Sequence, residues 1–224
     1  MSLRLLADRI LDMAATEQEL AYIREDTGAD GAAFGSFFLC DWESFHSVPI
    51  TKQEYIHLKF GAAAPAIEAT LGDYLSCAGA RLPKGGCAVL FPDGEMHWFR
   101  SDGAYGGGAA LLYQNSPAQE IACLGDGAVW ATIPDRNALV RFSVRDQSVL
   151  LRVGGEGVFP RPTGLFRSLE QLLVCCEGNA TVSAMTTDSY EAAVLRRFPE
   201  PPRRFIRVFG QEFVWMGSGL YAVT

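Results

Sequence analysis

The chain has 224 residues, of which 49% are hydrophobic and 20% charged, as in ordinary globular proteins and unlike disordered ones. Its formal net charge of −7 disfavours a nucleic-acid partner, because phosphates require a basic surface. The chain has no run of about 18 apolar residues that could span a membrane. The charged N-terminal residues are unlike a signal peptide. We therefore expect a cytoplasmic protein without membrane contact.

The first part of the chain allows two interpretations. Residues 3–12, 20–24, 33–39, 44–50 and 55–60 have the apolar character of strands. Over residues 3–25 a helical alternative stays open, because Leu3, Leu6, Ile10 and Met13 have helical spacing. Residues 16–19, with the sequence TEQE, also resemble the capping box that starts a helix.

A repeat begins near Pro65. Similar segments start at Pro65, Pro117, Pro162 and Pro202, which are 52, 45 and 40 residues apart. Residues 130–142 also overlay residues 172–184 at a shift of 42. Over residues 66–78 a helical stripe of Ile67, Leu71 and Leu75 competes with this overlay, which favours strands.

Each repeat contains four apolar runs separated by turns. A period of 40–50 residues with four strands per unit is typical of a β-propeller. We place the blades at residues 20–60, 65–100, 108–154, 162–198 and 202–224. The last blade lacks its fourth strand, and residues 3–12 would supply it and leave no open sheet edge. The sequence thus predicts one all-β domain over residues 1–224, a small propeller of five four-stranded blades closed by the N- and C-terminal strands.

The second half of the chain resembles a known repeat superfamily. The run that starts GAVWATIPDRNALVRFSV at Gly127, together with PTGL at Pro162 and LLVCCEGNATVSAM at Leu172, is similar to YVTN and NHL-type propeller repeats. Virginiamycin-lyase-like and gluconolactonase-like propellers have blades of this kind. The resemblance implies the fold and carries no function, because propellers include hydrolases, lyases, sugar binders and scaffolds.

The predicted strand order locates a working surface. In every blade the loop between the second and third strands lies at the same end of the propeller, and such loops carry function on rigid scaffolds. These loops hold carboxylates, cations, amides and aromatic groups that suit a small polar, sugar-like ligand. The candidate ligand-binding residues are Asp41, Trp42, Glu43, His46, Arg81, Arg136, Asn137, Glu177 and Asn179. An alternative is that they only shape turns, which favour Asp and Asn anyway.

These candidates favour a non-catalytic binding module for a small polar ligand or a protein partner. The alternative is a hydrolase or lyase on the same face, with Asp41, Glu43, His46 or Glu177 as acid and base groups. In a third interpretation, a scaffold would use exposed apolar blade edges. We expect no bound metal, because the histidines lack metal-ligand spacing. Asp41, Glu43 and Glu177 nevertheless leave a divalent cation such as calcium open.

Overall fold

The computed structural model describes residues 1–125, 128–155 and 157–224. Five four-stranded antiparallel sheets form a five-bladed β-propeller, with 54% strand and 14% helix. The predicted fold class is therefore confirmed. Strand β1 (Leu3–Ala7) belongs to the last blade, although it is the first strand of the chain.

The first three blades follow one another in chain order. Blade 1 contains β2 (Ile10–Ala15), β3 (Leu20–Thr27), β4 (Ala33–Cys40) and β5 (Ser47–Pro49). Blade 2 contains β6 (Ala78–Arg81), β7 (Cys87–Leu90), β8 (Glu95–Phe99) and β9 (Tyr105–Ala110). A small hairpin of β10 (Leu112–Tyr113) and β11 (Ser116–Pro117) follows. Blade 3 contains β12 (Ile121–Cys123), β13 (Ala128–Ile133), β14 (Ala138–Ser143) and β15 (Ser148–Gly154).

The last two blades match the predicted boundaries closely. Blade 4 contains β16 (Pro162–Ser168), β17 (Gln171–Cys176), β18 (Thr181–Thr186) and β19 (Ala192–Arg197). Blade 5 contains β20 (Pro202–Val208), β21 (Gln211–Met216), β22 (Gly219–Val223) and β1. Because β1 pairs with β22 over Leu3 to Ala7, the N-terminus supplies the missing strand as predicted.

Blades 1 and 2 differ from the prediction, because helices lie between them. Residues 55–60, predicted as the outer strand of blade 1, belong to helix α1 (Lys52–Phe60). Pro65, predicted to open blade 2, lies in helix α2 (Ala64–Thr70). Single 3₁₀ turns follow at Gly61–Ala63 and Tyr74–Ser76. Blade 1 therefore starts one strand earlier than predicted, at β2. Blade 2 starts at Ala78 instead of residue 65, and blade 3 starts at Ile121 instead of residue 108.

A capping box at Thr51 explains where the first helix starts. Thr51 and Glu54 form a capping box: the Thr51 hydroxyl accepts from the Glu54 amide, and the Glu54 carboxylate accepts from the Thr51 amide at 2.7 Å. The similar pattern at Thr16 instead shapes the β2–β3 hairpin, where the hydroxyl accepts from the amides of Gln18 and Glu19. The helical alternative for residues 3–25 is therefore wrong. The helical alternative for residues 66–78 is confirmed at Ile67, which lies in α2, whereas Leu71 is extended and Leu75 lies in a separate 3₁₀ turn.

Helix α1 completes the wall of the central channel. Inner strands β6, β12, β16, β20 and β2 contact one another in that order, and α1 contacts both β2 and β6. It is buried far more than a surface helix, with Tyr55, Ile56, Leu58 and Phe60 in the core between blades 1 and 2. The channel is thus bounded by five strands and one helix. None of the helices among the described residues is both long enough and apolar enough to cross a lipid bilayer.

Candidate functional site

The propeller has two ends, defined by its turns. We call upper the end with the turns between first and second strands and between third and fourth strands, such as residues 16–19 and 209–210. The lower end carries the turns between second and third strands, such as residues 134–137 and 177–180, and the connections between blades. Antiparallel strands alternate in direction, so an error of one strand moves a loop to the opposite end.

Five predicted ligand-binding residues lie at the upper end. Asp41, Trp42, Glu43 and His46 belong to the turn between β4 and β5, the third and fourth strands of blade 1. Arg81 is the last residue of β6, a first strand. The Asp41 carboxylate accepts from the Ser44 amide at 2.7 Å and shapes its own turn. This hydrogen bond lowers the pKa of Asp41.

The other four lie at the lower end and hold backbone segments together. Arg136 donates to the Ser116 hydroxyl at 2.9 Å and to the Gln114 carbonyl at 2.7 Å. The Asn137 side chain accepts from the Arg161 amide at 2.8 Å. Glu177 accepts from the Arg161 guanidinium at 2.8 Å, and Asn179 accepts from the Thr181 hydroxyl at 2.7 Å.

The prediction that the candidate residues lie together at one end of the propeller is therefore wrong. The one-strand shift in blade 1 and the helices before blade 2 place Asp41 and Arg81 opposite Glu177. Asp41, Glu43 and Glu177 cannot chelate one cation together, and Asp41 and Glu177 cannot form a catalytic carboxylate pair across the channel. Whether any of the nine binds a ligand individually stays a prediction.

A cavity of about 440 Å³ opens at the upper mouth of the channel. Its walls are the inner strands of all five blades, and they are apolar at Met13, Ile121, Leu165 and Ile206. Its volume falls within the range of small-molecule sites. Lys59, Glu120 and Arg204 line its deep part.

Asp12, Lys59, Glu120 and Arg204 form the charged floor of the cavity. One half of this floor joins helix α1 to blade 1. The Lys59 ammonium group, whose side chain is only 3% exposed, donates to the Asp12 carboxylate and to the Leu75 carbonyl, the latter at 2.6 Å. The buried Tyr55 hydroxyl donates to the same Asp12 oxygen at 2.8 Å. Asp12 thus holds the helix in its place in the channel wall.

The other half joins blade 5 to blade 3. Arg204 donates from Nε and Nη2 to one Glu120 oxygen, at 2.9 and 2.6 Å. It also donates to the Met13 carbonyl and lies 3.7 Å from Asp12, which connects the two halves. The second Glu120 oxygen accepts from the Ile121 amide at 3.2 Å.

Burial dominates the electrostatics of this floor. It raises the pKa of Tyr55 well above its ordinary value, and it lowers the pKa of Lys59 in spite of the nearby Asp12 charge. Burial also raises the pKa of Glu120, although Arg204 pulls it down. Arg204 itself is desolvated, but the charges of Glu120 and Asp12 outweigh this effect and raise its pKa. Two anions and two cations therefore balance in a poorly hydrated pocket.

The charges at the rim of the cavity balance as well. Glu17, Glu19, Arg81 and Arg167 all line the opening, which gives it two anions and two cations. Arg81 is held in place, because its guanidinium donates to the His57 and Leu58 carbonyls near the end of α1, at 3.1 and 2.6 Å. Of the nine predicted residues, Arg81 alone lines this cavity.

The sequence contains a weak signal for the floor. Asp12 is the only charged residue within the apolar strand β2, where a buried charge requires a partner, but Arg204, which lies 3.7 Å from it, is one of three arginines in β20. Their 192-residue separation, from Asp12 to Arg204, hides the pairing until the ring closes.

Fold and cavity define a five-bladed propeller with a charge-balanced pocket at one mouth of its channel. No family model matches the chain, and no curated protein matches it. Among solved structures, virginiamycin B lyase from Staphylococcus aureus is similar at 12% identity, with a TM-score of 0.53 over 96% of this chain and 82% of the other.

Two further solved structures give the same result. A catalytically inactive virginiamycin B lyase from Staphylococcus aureus with quinupristin has 12% identity and a TM-score of 0.54, again over 96% and 82% of the two chains. A streptogramin B lyase has 8% identity and a TM-score of 0.50 over 99% and 96%. The predicted resemblance to virginiamycin-lyase-like propellers is confirmed for the fold, and identities this low carry no activity over.

Proposed function

We propose that this propeller binds a small, uncharged or zwitterionic polar molecule in the cavity at the upper channel mouth. The observation that carries the proposal is the charge-balanced floor of Asp12, Lys59, Glu120 and Arg204 beneath mixed polar and apolar walls. A polyanion or polycation would meet as many repulsive as attractive charges there. A sugar-like or zwitterionic molecule could use both donors and acceptors without leaving a charge unpaired.

Catalysis on the same floor is the second candidate. Buried titratable groups with shifted pKa values are typical of active sites, and here Lys59 and Glu120 both qualify. Binding fits better, because each group already has a partner: Lys59 donates to Asp12, and Glu120 accepts from Arg204. An acid or base role would require breaking one of these buried pairs. The candidates predicted from sequence, Asp41, Glu43, His46 and Glu177, are exposed and spread over both ends.

A cavity-filling variant tests the proposal. Ala15 lines the cavity at the end of β2, and a phenylalanine there would occupy the space above the floor. We would screen neutral saccharides and zwitterionic amino-acid derivatives by ligand-detected NMR against the wild type and Ala15→Phe. Ala193→Phe, on the exposed face of outer strand β19, is the matched control.

Compounds that bind the wild type should lose their signal with Ala15→Phe and keep it with Ala193→Phe. Binding that survives Ala15→Phe would place the site elsewhere, and a screen in which only polyanions bind would contradict the charge argument. Turnover of a bound compound, abolished by Lys59→Met in a folded variant, would favour the catalytic candidate.

We further propose that nucleic acids and membranes are not partners, because the net charge of −7 repels phosphates and anionic lipids. Cytoplasmic location stays a prediction. It is supported by the six cysteines, which are present as buried thiols, as is usual in a reducing compartment.

A further inference from the structure

The upper end exposes large apolar side chains at two equivalent turns. Leu169 lies in the two-residue turn between β16 and β17 and is 73% exposed. Phe209 lies in the corresponding turn between β20 and β21 and is 58% exposed. Both are the first residue of the turn that joins the first and second strands of adjacent blades.

Neither residue suits its backbone. Leu169 has φ 54° and Phe209 has φ 47°, in the left-handed region that hairpin turns usually fill with Gly, Asn or Asp. A large apolar side chain in this region is a steric outlier. The backbone conformation therefore does not explain why either turn has a large apolar residue.

The two turns belong to one continuous surface. The Phe209 ring packs on Trp42 of blade 1, with ring centroids 5.1 Å apart. Glu17 connects the turns, since its backbone carbonyl accepts from the Phe209 amide at 3.0 Å and its carboxylate accepts from the Leu169 amide at 2.6 Å. We call Trp42, Phe209, Glu17 and Leu169 the crescent. It lies over blades 1, 5 and 4, and its Glu17 also lines the cavity mouth.

Carboxylates outnumber cations around the crescent, although Arg167 donates to the Leu169 carbonyl at 3.3 Å and the Arg4 guanidinium lies 5.0 Å from the Phe45 ring centroid. The upper turns of these three blades, residues 16–19, 41–46, 169–170, 187–191 and 209–210, contain no Lys or Arg. They contain seven carboxylates: Glu17, Glu19, Asp41, Glu43, Glu170, Asp188 and Glu191. Over the described part of the chain, none of the seven forms a salt bridge.

We propose that the crescent docks a basic segment of a partner protein, in which apolar side chains alternate with Arg or Lys. The apolar residues would cover Leu169 and Phe209, and the cations would neutralise the seven carboxylates and accelerate encounter. A second copy of this chain is a poor occupant, because a two-fold interface would bring the same carboxylates against each other. The proposal does not depend on the cavity having a ligand.

A synthetic peptide tests the proposal. The probe is a fluorescein-labelled 12-residue peptide in which pairs of Arg alternate with pairs of Leu. The control peptide has Glu in place of every Arg. Anisotropy should report binding of the basic peptide alone, weakened when salt rises from 50 to 300 mM. The double variant Leu169→Asn/Phe209→Asn should weaken binding on the order of tenfold or more, as loss of a hot spot does.

Two controls keep this test decisive. Asn tolerates a positive φ, so the double variant should keep the thermal midpoint of the wild type, which differential scanning calorimetry checks. Val158→Asn removes a 43%-exposed apolar side chain at the lower end and should leave the affinity unchanged. The proposal is overturned if the double variant binds the basic peptide like the wild type, or if the Glu peptide binds equally well. A wild-type dimer in sedimentation that the double variant dissociates would also overturn it, because the occupant would then be a second copy.

Discussion

Replacing Arg204 by Met should strongly destabilise the protein, because it leaves Glu120 buried without its cation. Two charge-assisted hydrogen bonds are lost, at 2.9 and 2.6 Å. At about 1.5–3 kcal/mol each, their loss should lower the free energy of unfolding by roughly 3–6 kcal/mol. This is similar to the roughly 3–5 kcal/mol that breaking a buried ion pair costs. For a chain of this size we expect the thermal midpoint to fall by about 10 °C.

The exposed pair of Arg161 and Glu177 is a matched control. Its shortest contact has a similar length of 2.8 Å, but its side chains are 55% and 45% exposed, against 19% and 8% for Arg204 and Glu120. Arg161→Met should therefore cost less than about 1 kcal/mol. The double variant Arg204→Met/Glu120→Leu should recover most of the loss, because no unpaired charge then stays buried.

The pH dependence of the Arg204→Met variant has a defined sign. Arg204 lowers the pKa of Glu120, so its removal raises that folded-state pKa further above the unfolded value. The Glu120 contribution to stability is then present below about pH 4.3, its unfolded pKa, and is lost as the pH rises. Urea unfolding should show a deficit relative to the wild type that grows from pH 4.5 to 7. A deficit below about 1 kcal/mol at pH 7, or one that shrinks as pH rises, would refute this account of the floor.

Two further predictions concern closure and the thiols. Deleting residues 1–8 removes β1 from β22, so the thermal midpoint should fall by roughly 10 °C or more, and an unchanged midpoint would show that β1 does not close the ring. Burial raises the pKa of Cys87 to about 12 and those of Cys77 and Cys176 to about 11. A disulfide reagent at pH 8 should therefore label these three only after unfolding, as peptide mass spectrometry can measure, and rapid labelling of the native protein would contradict this burial.

The sequence predicts the second half of the fold well, for a physical reason. In blades 4 and 5, Pro162 and Pro202 each open an inner strand, and turn residues recur at fixed offsets from them. Each blade packs only on its neighbours, so a local pattern is enough to define it. The same reasoning locates the strand that the N-terminus gives to blade 5.

The first half resists the same reasoning because two local signals conflict. Residues 56–60 alternate between apolar and polar like a strand, yet they follow a capping box at Thr51 and end before Gly61, whose φ is 66°. The box and the glycine determine the structure, and the helix is buried between blades, where an amphipathic pattern is not required. Because one strand of blade 1 is misassigned, Asp41 and its neighbours are predicted at the lower end, whereas they lie at the upper end.

The floor of the cavity could not be predicted from local patterns. Lys59, Glu120 and Arg204 come from a helix and two different blades, and each looks like an ordinary solvated charge in sequence. They become a site only when closure of the ring removes water from around them. Tertiary pairing of this kind has no fixed spacing along the chain.

A crystal soaked with the compounds that bind in solution tests the central claim most directly. We predict ligand density in the upper mouth of the channel, above Lys59 and between Glu19 and Phe166, with the Arg204–Glu120 pair intact. Density at the lower end, beside Arg136 and Glu177, with an empty upper cavity would contradict the account.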